Sequence, residues 1–178
     1  HDFTTGMMGF DNNVWEPIFE KNTLPENDPV TSILSIEKAN SIITTLKNGL
    51  FVLSGTGITK LETENNSLFE NERIYAATRV NDEWIALATN NNGLYIVDLK
   101  GNIIQSFSKA EGLQNNNLLS IFLDNQSNLW LGLDNGIDMT DYYQSVEWDI
   151  LSIPAQKNIK YYECCPEPYY DIYFNITI

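Results

Sequence analysis

Hydrophobic and polar residues alternate in short stretches over the first 140 residues, which is the pattern of half-buried β-strands. The stretches are rich in β-branched and aromatic side chains, and turn-forming pairs such as Asn48-Gly49 and Asn81-Asp82 separate them. Strands are predicted at residues 33–36, 41–45, 50–53, 84–88 and 129–133. Helical periodicity is weak, and the polar segments 65–72 and 109–117 are predicted to be loops. The pattern therefore predicts an all-β fold.

A short motif organises these strands into a repeat. It consists of a glycine, an apolar residue, two variable residues, a second apolar residue and often an acid, at residues 6–11, 57–62, 93–98 and 136–141. The last three copies begin at Gly57, Gly93 and Gly136, which are 36 and 43 residues apart, and each is preceded by an aromatic residue: Phe51, Trp84 and Trp130. A period near ~40 residues is typical of β-propeller blades, in which the glycine would allow a positive φ and the aromatic ring would fill the space between blades. An antiparallel β-sandwich is the alternative.

The composition narrows the classes of partner. The 178 residues include 24 acidic and 10 basic side chains, for a net charge of −14. A surface this acidic repels phosphate backbones and anionic lipids, which argues against nucleic-acid binding. The sequence contains no signal peptide and no apolar run near the ~20 residues that a membrane helix needs. Because it begins at His1, we interpret the chain as a fragment, a processed form or a trimmed product.

The sequence offers no pattern typical of catalysis. His1 is its single histidine, so neither a histidine base nor a histidine-ligated metal is expected. Residues 55–57 suit a tight turn better than a nucleotide-binding loop, and residues 124–128 suit a strand-connecting turn better than a calcium loop. We therefore predict no catalytic residue, no metal site and no cofactor, and expect the protein not to be an enzyme.

Residues 117–137, with Trp130 and Gly136, resemble the repeat of two-component regulator propellers. Residues 111–113 resemble the short sequence segment that connects blades in that family. Residues 9–18 look like the exit of a blade. The resemblance covers residues 6–138 and implies about three blades of an incomplete ring, since propellers close with ~4–8 blades. It implies a sensor outside the cytoplasm that binds a small molecule or carbohydrate, together with further blades or subunits.

The pattern changes in the tail, residues 139–178. Seven of the nine tyrosines of the chain occur from residue 142 onward, and two alternating segments, residues 146–150 and 172–178, predict strands. Between them Cys164 and Cys165 are adjacent in sequence, and two prolines follow. A bond between adjacent cysteines would close a strained ring and stiffen the tip of a loop. The tail is therefore predicted to be a β-hairpin distinct from the blades.

The tail resembles the last part of the ligand-binding domain of agonist-binding subunits of nicotinic acetylcholine receptors, over residues 141–151 and 162–172. The resemblance implies that Cys164 and Cys165 form a disulfide at the tip of loop C. It implies that Tyr162 and Tyr169 line a cage for a quaternary ammonium ligand, with these four residues as the ligand-binding set. Cation–π attraction of ~0.5–2 kcal/mol per ring suits tyrosine to this role. The cage tryptophan, the Cys-loop pair and the pore helices of that family have no counterpart here, and for the other tyrosines a packed aromatic face is preferred.

Three functions follow from these patterns. The first is a non-catalytic propeller sensor that signals by shifting its partners. The second is a receptor fragment that binds a quaternary ammonium ligand or a toxin through residues 139–178. The third is a composite, an engineered or mis-assembled fusion with its join near residues 136–141; that interpretation weakens if the tail pairs with the preceding sheet. Both resemblances, and weakly the adjacent cysteines, predict an extracytoplasmic location.

Overall fold

The computed structural model describes residues 7–19, 23–36, 40–142 and 148–154. Over these ranges the chain forms an N-terminal hairpin and three four-stranded antiparallel sheets, in each of which strands that are consecutive in sequence pair. The hairpin consists of β1 (Met8–Asp11) and β2 (Val14–Pro17). The first sheet contains β3 (Val30–Ser35), β4 (Ser41–Thr45), β5 (Gly49–Ser54) and β6 (Gly57–Lys60). The second contains β7 (Ile74–Arg79), β8 (Trp84–Thr89), β9 (Leu94–Asp98) and β10 (Ile103–Phe107). The third contains β11 (Leu118–Leu123), β12 (Asn128–Leu133), β13 (Gly136–Tyr142) and β14 (Trp148–Pro154). The predicted all-β class and its antiparallel sheets are confirmed, and no sheet of the described residues closes on itself.

The first two strands of every sheet repeat with a period of 44 residues. Val30, Ile74 and Leu118 begin the three first strands, and the pairing register shifts after each of them at a β-bulge. The turn that follows is closed by the same backbone hydrogen bond in each sheet. These bonds run from Ile36 N to Asn40 O at 2.9 Å, from Val80 N to Trp84 O at 3.0 Å and from Asp124 N to Asn128 O at 2.9 Å. The three sheets are therefore copies of one unit.

The second sheet lies between the other two and is buried on both faces. Ile85 and Leu87 of β8 belong to the apolar cluster shared with Ile42 and Leu50 of the first sheet. Ala86, next in sequence, belongs to the cluster shared with the third sheet. Because successive side chains of a strand point to opposite faces, a strand between two sheets must be apolar at every position. This explains why the segment around β8 carries a continuous apolar run.

The first strands of the sheets lie side by side along one edge of this stack. Ser32 Oγ of β3 accepts a hydrogen bond from Ala77 N of β7 at 2.8 Å. Nearer the ends of these strands, Arg79 Nη1 donates to Ser35 O at 3.2 Å. Since both contacts advance together along the two strands, β3 and β7 run in the same direction. β7 in turn contacts β11 of the third sheet.

In the first described copy of the sequence motif, the glycine does not occupy the same position in its sheet as the glycines of the later copies. Gly93 and Gly136 stand at the start of third strands, but Gly57 begins the fourth strand of its sheet. The residue equivalent to Gly93 is Gly49, which lies 44 residues earlier. Positive φ values of 80° and 83° at Gly49 and Gly93 match the predicted role of the glycine, as does 137° at Gly57, whereas Gly136 does not have a positive φ.

The aromatic residues of the motif also occupy positions that are not equivalent. Phe51 lies in a third strand, Trp84 begins a second strand and Trp130 is the third residue of one. Trp84 and Phe51 do pack against buried clusters, but against different ones. A periodic aromatic partner for the glycine is therefore not a feature of this repeat.

Residues 66–71 form a short helix, α1 (Asn66–Asn71), where the sequence predicted a loop. Its side chain Phe69 is fully buried among Ile42, Leu50 and Ile74. The helix forms because this one anchor is buried between two sheets, and a single anchor leaves no helical periodicity in the sequence. The other predicted loop, residues 109–117, is confirmed.

The predicted boundary between residues 138 and 139 falls within β13. This strand pairs continuously with β14, from Gly136 opposite Pro154 to Tyr142 opposite Trp148. The beginning of the predicted tail thus forms the outer strands of the third sheet. The second predicted tail strand, residues 172–178, lies outside the described residues.

Candidate functional site

One end of the three sheets gathers the segments that enter the first strands and the turns between second and third strands. This loop end comprises residues 28–29, 46–48, 72–73, 90–92, 114–117 and 134–135. One backbone hydrogen bond recurs there in every sheet, again with a period of 44 residues. It runs from Leu46 N to Pro29 O at 3.0 Å, from Asn90 N to Arg73 O at 3.3 Å and from Asp134 N to Asn117 O at 3.2 Å. The repeat therefore fixes each turn beside the entry to its own first strand.

A threonine shapes the turn in the first two sheets. Thr89 Oγ1 is buried, donates to Gly93 O at 2.8 Å and accepts a bond from Asn92 N at 3.3 Å. Thr45 makes the equivalent bonds to Gly49 and Asn48. A hydroxyl that both donates and accepts can satisfy a turn whose glycine has a positive φ. Residues 90–92 and 46–48 are thus turns of equal length.

Hydrogen bonds also join neighbouring sheets across the loop end. Gly93 N of the second sheet donates to Asn116 O, which precedes the third sheet, at 2.9 Å. Asn115 Nδ2 then donates to Asn135 Oδ1 at 3.0 Å. These bonds between loops join the loop ends of the second and third sheets into one polar surface.

Two buried carboxylates hold the loops of this surface in place. Asp28 accepts bonds from Lys47 N at 3.0 Å and from Asn48 Nδ2 at 2.7 Å. Asp138 accepts from Gln114 N at 2.9 Å and from Gln114 Nε2 at 2.7 Å. Both side chains are almost fully buried, and a buried carboxylate requires such partners. Their oxygens are therefore occupied with structure and are not ligand-binding candidates.

Two other side-chain oxygens at the loop end remain unsatisfied. Glu72 Oε2 and Asn117 Oδ1 are buried and have no hydrogen-bond partner among the described residues. A third such oxygen, Thr140 Oγ1, lies on the covered face of β13 instead. Unsatisfied buried acceptors carry a free-energy cost of about 1–3 kcal/mol each. A donor supplied from outside would remove that cost, which makes Glu72 and Asn117 candidate contacts for a ligand.

Tyr95 adds a hydroxyl close to Glu72. Burial, followed by the negative charge of Glu72, raises the pKa of Tyr95 above its ordinary value of 10.0, while a hydrogen bond with the Asn92 side chain acts in the opposite direction. The phenol is therefore neutral at physiological pH and is able to donate a hydrogen bond.

Side-chain amides dominate the polar groups of the loop end. Within the described part of the chain its asparagines are Asn48, Asn90, Asn91, Asn92, Asn115, Asn116, Asn117 and Asn135. An amide both donates and accepts without carrying charge. Such a surface suits a neutral ligand with many hydroxyl groups better than an ion.

At the opposite end of the sheets, both carboxylate oxygens in the predicted turn at residues 124–128 have hydrogen-bond donors. Asp124 accepts from Gln126 N and Asn128 N with one oxygen, and from Asn128 Nδ2 and Trp130 Nε1 with the other, at 2.8–3.0 Å. Burial acts to raise its pKa, but these hydrogen bonds outweigh that effect and the pKa of Asp124 is lowered. The interpretation of residues 124–128 as a turn is confirmed.

The described residues form neither a metal-binding cluster nor a membrane-spanning helix. No group of three or more His, Cys, Asp or Glu side chains in that part of the chain is arranged to hold a metal ion. None of the helical structure in the described residues has the length and hydropathy needed to cross a bilayer.

The four residues predicted to bind ligand, Tyr162, Cys164, Cys165 and Tyr169, lie outside the described residues. Their contacts and the proposed disulfide therefore stay predictions. The described strand that leads toward them, β14, ends at Pro154 opposite Gly136. The end of β14 therefore lies at the loop end.

Comparison of the structure with solved proteins confirms the first resemblance. The extracellular domains of two hybrid two component systems from B. thetaiotaomicron superpose with TM-scores of 0.58 and 0.52, at 18% and 22% sequence identity. They match 70% and 74% of this chain, which spans only 17% and 16% of theirs. At this identity the likeness establishes a shared fold. The predicted extracytoplasmic location agrees with the description of these domains as extracellular.

Comparison of the sequence with curated proteins confirms the second resemblance. The chain is 65% identical over 43 residues to acetylcholine receptor subunit alpha-L1 of Schistocerca gregaria and to subunit alpha-like 2 of Drosophila melanogaster. It is 41% identical over 54 residues to human neuronal subunit alpha-9. These matches cover 24% and 30% of this chain but only 8% and 11% of the receptor subunits. No family model matches the chain.

Sequence reasoning did not identify the loop end. Glu72 and Asn117 occur in segments predicted to be polar loops, and nothing in their local sequence distinguishes them. The signal that would have found their positions is the exact 44-residue period, which makes Glu72 equivalent to Asp28 and Asn117 equivalent to Arg73 at the entries to the first strands. The motif based on Gly57 concealed that period.

Proposed function

We propose that this chain is a non-catalytic, extracytoplasmic ligand-sensing module whose three sheets are blades of a propeller. The observation that carries the proposal is the loop end, where three equivalent turns form one amide-rich surface around the unsatisfied oxygens of Glu72 and Asn117. The shared fold with extracellular domains of two component systems supports a sensor role. A binding surface made of loops on a rigid β scaffold is a common arrangement for recognition.

The ligand class that fits best is a neutral carbohydrate. Sugar hydroxyls donate hydrogen bonds that Glu72 Oε2 and Asn117 Oδ1 lack, and accept bonds from amide groups such as that of Asn91. The net charge of −14 disfavours anionic sugars through long-range repulsion. Signalling would then pass to further blades or subunits that contact these sheets.

The proposal is tested by isothermal titration calorimetry against a panel of neutral oligosaccharides, with sulfated and uronic-acid oligosaccharides as the charged arm. We expect binding of at least one neutral sugar, and a loss of about ten-fold or more in affinity for Glu72→Gln and for Asn117→Ala. Asn125→Ala is the matched control, because Asn125 is an exposed asparagine in the turn at the opposite end. Equal weakening by the control, or binding only of the charged sugars, would contradict the proposal.

A second candidate function rests on the receptor-like tail. The 65% identity over 43 residues supports binding of a quaternary ammonium ligand by Tyr162 and Tyr169 on a loop closed by Cys164 and Cys165. The whole receptor's activity does not follow, because the chain spans only 8% of that subunit. Continuous pairing of β13 with β14 supports a tail that is joined to the third sheet rather than simply appended, which weakens the composite interpretation.

This candidate is tested with carbamoylcholine and with a three-finger toxin as separate probes. Tyr162→Ala, or reduction of the cysteines, should abolish binding, and Tyr170→Ala should preserve it because that tyrosine is assigned to a packed face. Binding that survives both treatments would remove the candidate.

A further inference from the structure

The 44-residue period makes the two faces of every sheet equivalent from copy to copy. A sheet's forward face contacts the following sheet, and its rear face contacts the preceding one. The forward face of the first sheet includes Ile42 and Leu50, which pack on Ile85 and Leu87 of the second. In the second sheet the forward positions are Ala86 and Leu94, which pack on the rear face of the third sheet. One interface is thus used twice within this chain.

The forward face of the third sheet has the same apolar character but is open. Trp130 lies 44 residues after Ala86, and Ile137 lies 43 residues after Leu94, because the third sheet's turn is one residue shorter. Ala86 and Leu94 are fully buried, whereas Ile137 is 38% exposed and Phe122, paired with Trp130 across the strands, is 64% exposed. This face carries the side chains that a following sheet would cover.

The N-terminal hairpin is the outer half of a fourth copy. The hydrogen bond from Ile18 N to Met7 O measures 3.0 Å and matches the bond from Leu61 N to Leu50 O, 43 residues later. β1 and β2 therefore correspond to β5 and β6. Met7, on the forward face, is buried against the first sheet.

The rear face of this hairpin is also open and aromatic. Phe10 and Trp15 pair across the two strands with ring centroids 5.0 Å apart, and they are 58% and 64% exposed. By the same correspondence they stand where Leu53 and Ile58 pack on the rear face of the first sheet. Exposed apolar surface of this kind marks an interaction site.

We propose that a second copy of this chain packs the rear face of its N-terminal hairpin onto the forward face of the third sheet. The two open faces are the mating halves of the interface that the chain already uses twice, and one chain carries both. The contact joins different surfaces, so it is head-to-tail. Two copies together supply six four-stranded sheets and two hairpins, each hairpin being half of a sheet. Counted as blades, these eight units lie within the ~4–8 blades with which propellers close.

Sedimentation velocity over a wide concentration range tests the proposal on the full chain. We expect reversible association at about 0.15 M salt, where screening over ~8 Å reduces the mutual repulsion of two acidic chains. Ile137→Glu and Trp15→Glu should each weaken association about ten-fold or more, since each places a charge in the contact: Ile137 is equivalent to Met7, which packs with Leu53 and Ile58. Ile104→Glu is the matched control, because Ile104 is 49% exposed but lies on β10 of the sandwiched second sheet.

Mixing the two variants identifies the geometry. Ile137→Glu retains an intact rear face and Trp15→Glu an intact forward face, so the mixture should regain the association that each lacks alone. A chain that remains monomeric throughout, or a tail that covers Ile137 within one copy, overturns the proposal. So does a mixture that stays monomeric, or association that depends on one of the two residues alone. Thermal unfolding of each variant checks that these exposed substitutions leave the fold intact.

Discussion

The indole Nε1 of Trp130 donates a hydrogen bond of 2.9 Å to Oδ2 of Asp124. This bond joins the second strand of the third sheet to the turn that precedes it. Asp98 organises the turn before β10 in a similar way, by accepting bonds from Lys100 N and Asn102 N at 2.8 and 2.9 Å. A single aspartate thus defines each of these two turns.

Replacing Asp124 should destabilise the protein through that turn. Asp124→Ala removes four hydrogen bonds and leaves the Trp130 donor without its acceptor, so the free energy of unfolding should fall by about 1–3 kcal/mol. Chemical denaturation monitored by tryptophan fluorescence measures the change. Asn125→Ala, in the same turn, should alter stability little, and an equal loss in both variants would show that the aspartate has no special role.

Stability should decline in acid because of the same two aspartates. Burial acts to raise the pKa of Asp98 and of Asp124, but hydrogen bonds reverse this effect and hold both pKa values below the ordinary aspartate value of 3.8. A carboxylate whose pKa is lowered in the folded state contributes its full stabilisation of the fold above the pKa of the unfolded state. That contribution is lost as the pH falls from 3.8 through the pKa of the folded state. Unfolding free energies measured from pH 5 downward should therefore drop below about pH 4.

The acid prediction is checked with a double variant. Asp98→Asn with Asp124→Asn should flatten the pH dependence, whereas Asn125→Ala, which retains both carboxylates, should keep the slope of the unmodified chain. An unchanged slope in the double variant would assign the acid sensitivity to other groups.

The glycines of the repeat should differ sharply in their tolerance of a side chain. Gly93 has a φ of 83°, and a Cβ there would overlap the carbonyl oxygen of Phe107. Gly93→Ala should therefore cost about 3 kcal/mol or more. Gly57 also has a positive φ, but a Cβ would meet no atom within 4 Å, so Gly57→Ala should cost about 1 kcal/mol. The difference in denaturation midpoints measures this order, and a reversed order would contradict the close approach of the Phe107 carbonyl to Gly93.

Phe69 should be the main support of α1. The ring is fully buried between the first and second sheets, so Phe69→Ala should lower the free energy of unfolding by about 3–5 kcal/mol. The exposed neighbour Ser67, changed to alanine, is the control for helix propensity. Denaturant melts of both variants provide the measurement, and similar stabilities would mean that the helix packs only loosely.

The sequence alone determined the strands, many of the turns and the two resemblances. Alternation of apolar residues and the turn formers between them are local signals, and so they placed the strands around residues 41–45, 84–88 and 129–133 within a residue or two. The tyrosines and adjacent cysteines of the tail are equally local, and they identified its receptor-like character.

Only the tertiary structure decided which residues are equivalent and what each of them contacts. The true register of the repeat, the burial of Phe69 and the unsatisfied oxygens of Glu72 and Asn117 all depend on partners tens of residues away. The exposed side chains Phe10 and Phe122 likewise differ from their partly buried counterparts Leu53 and Leu34 in what covers them, since apolar strands of the same pattern carry both. Local propensity specifies a strand, whereas burial is a property of the neighbouring sheet that the strand packs against.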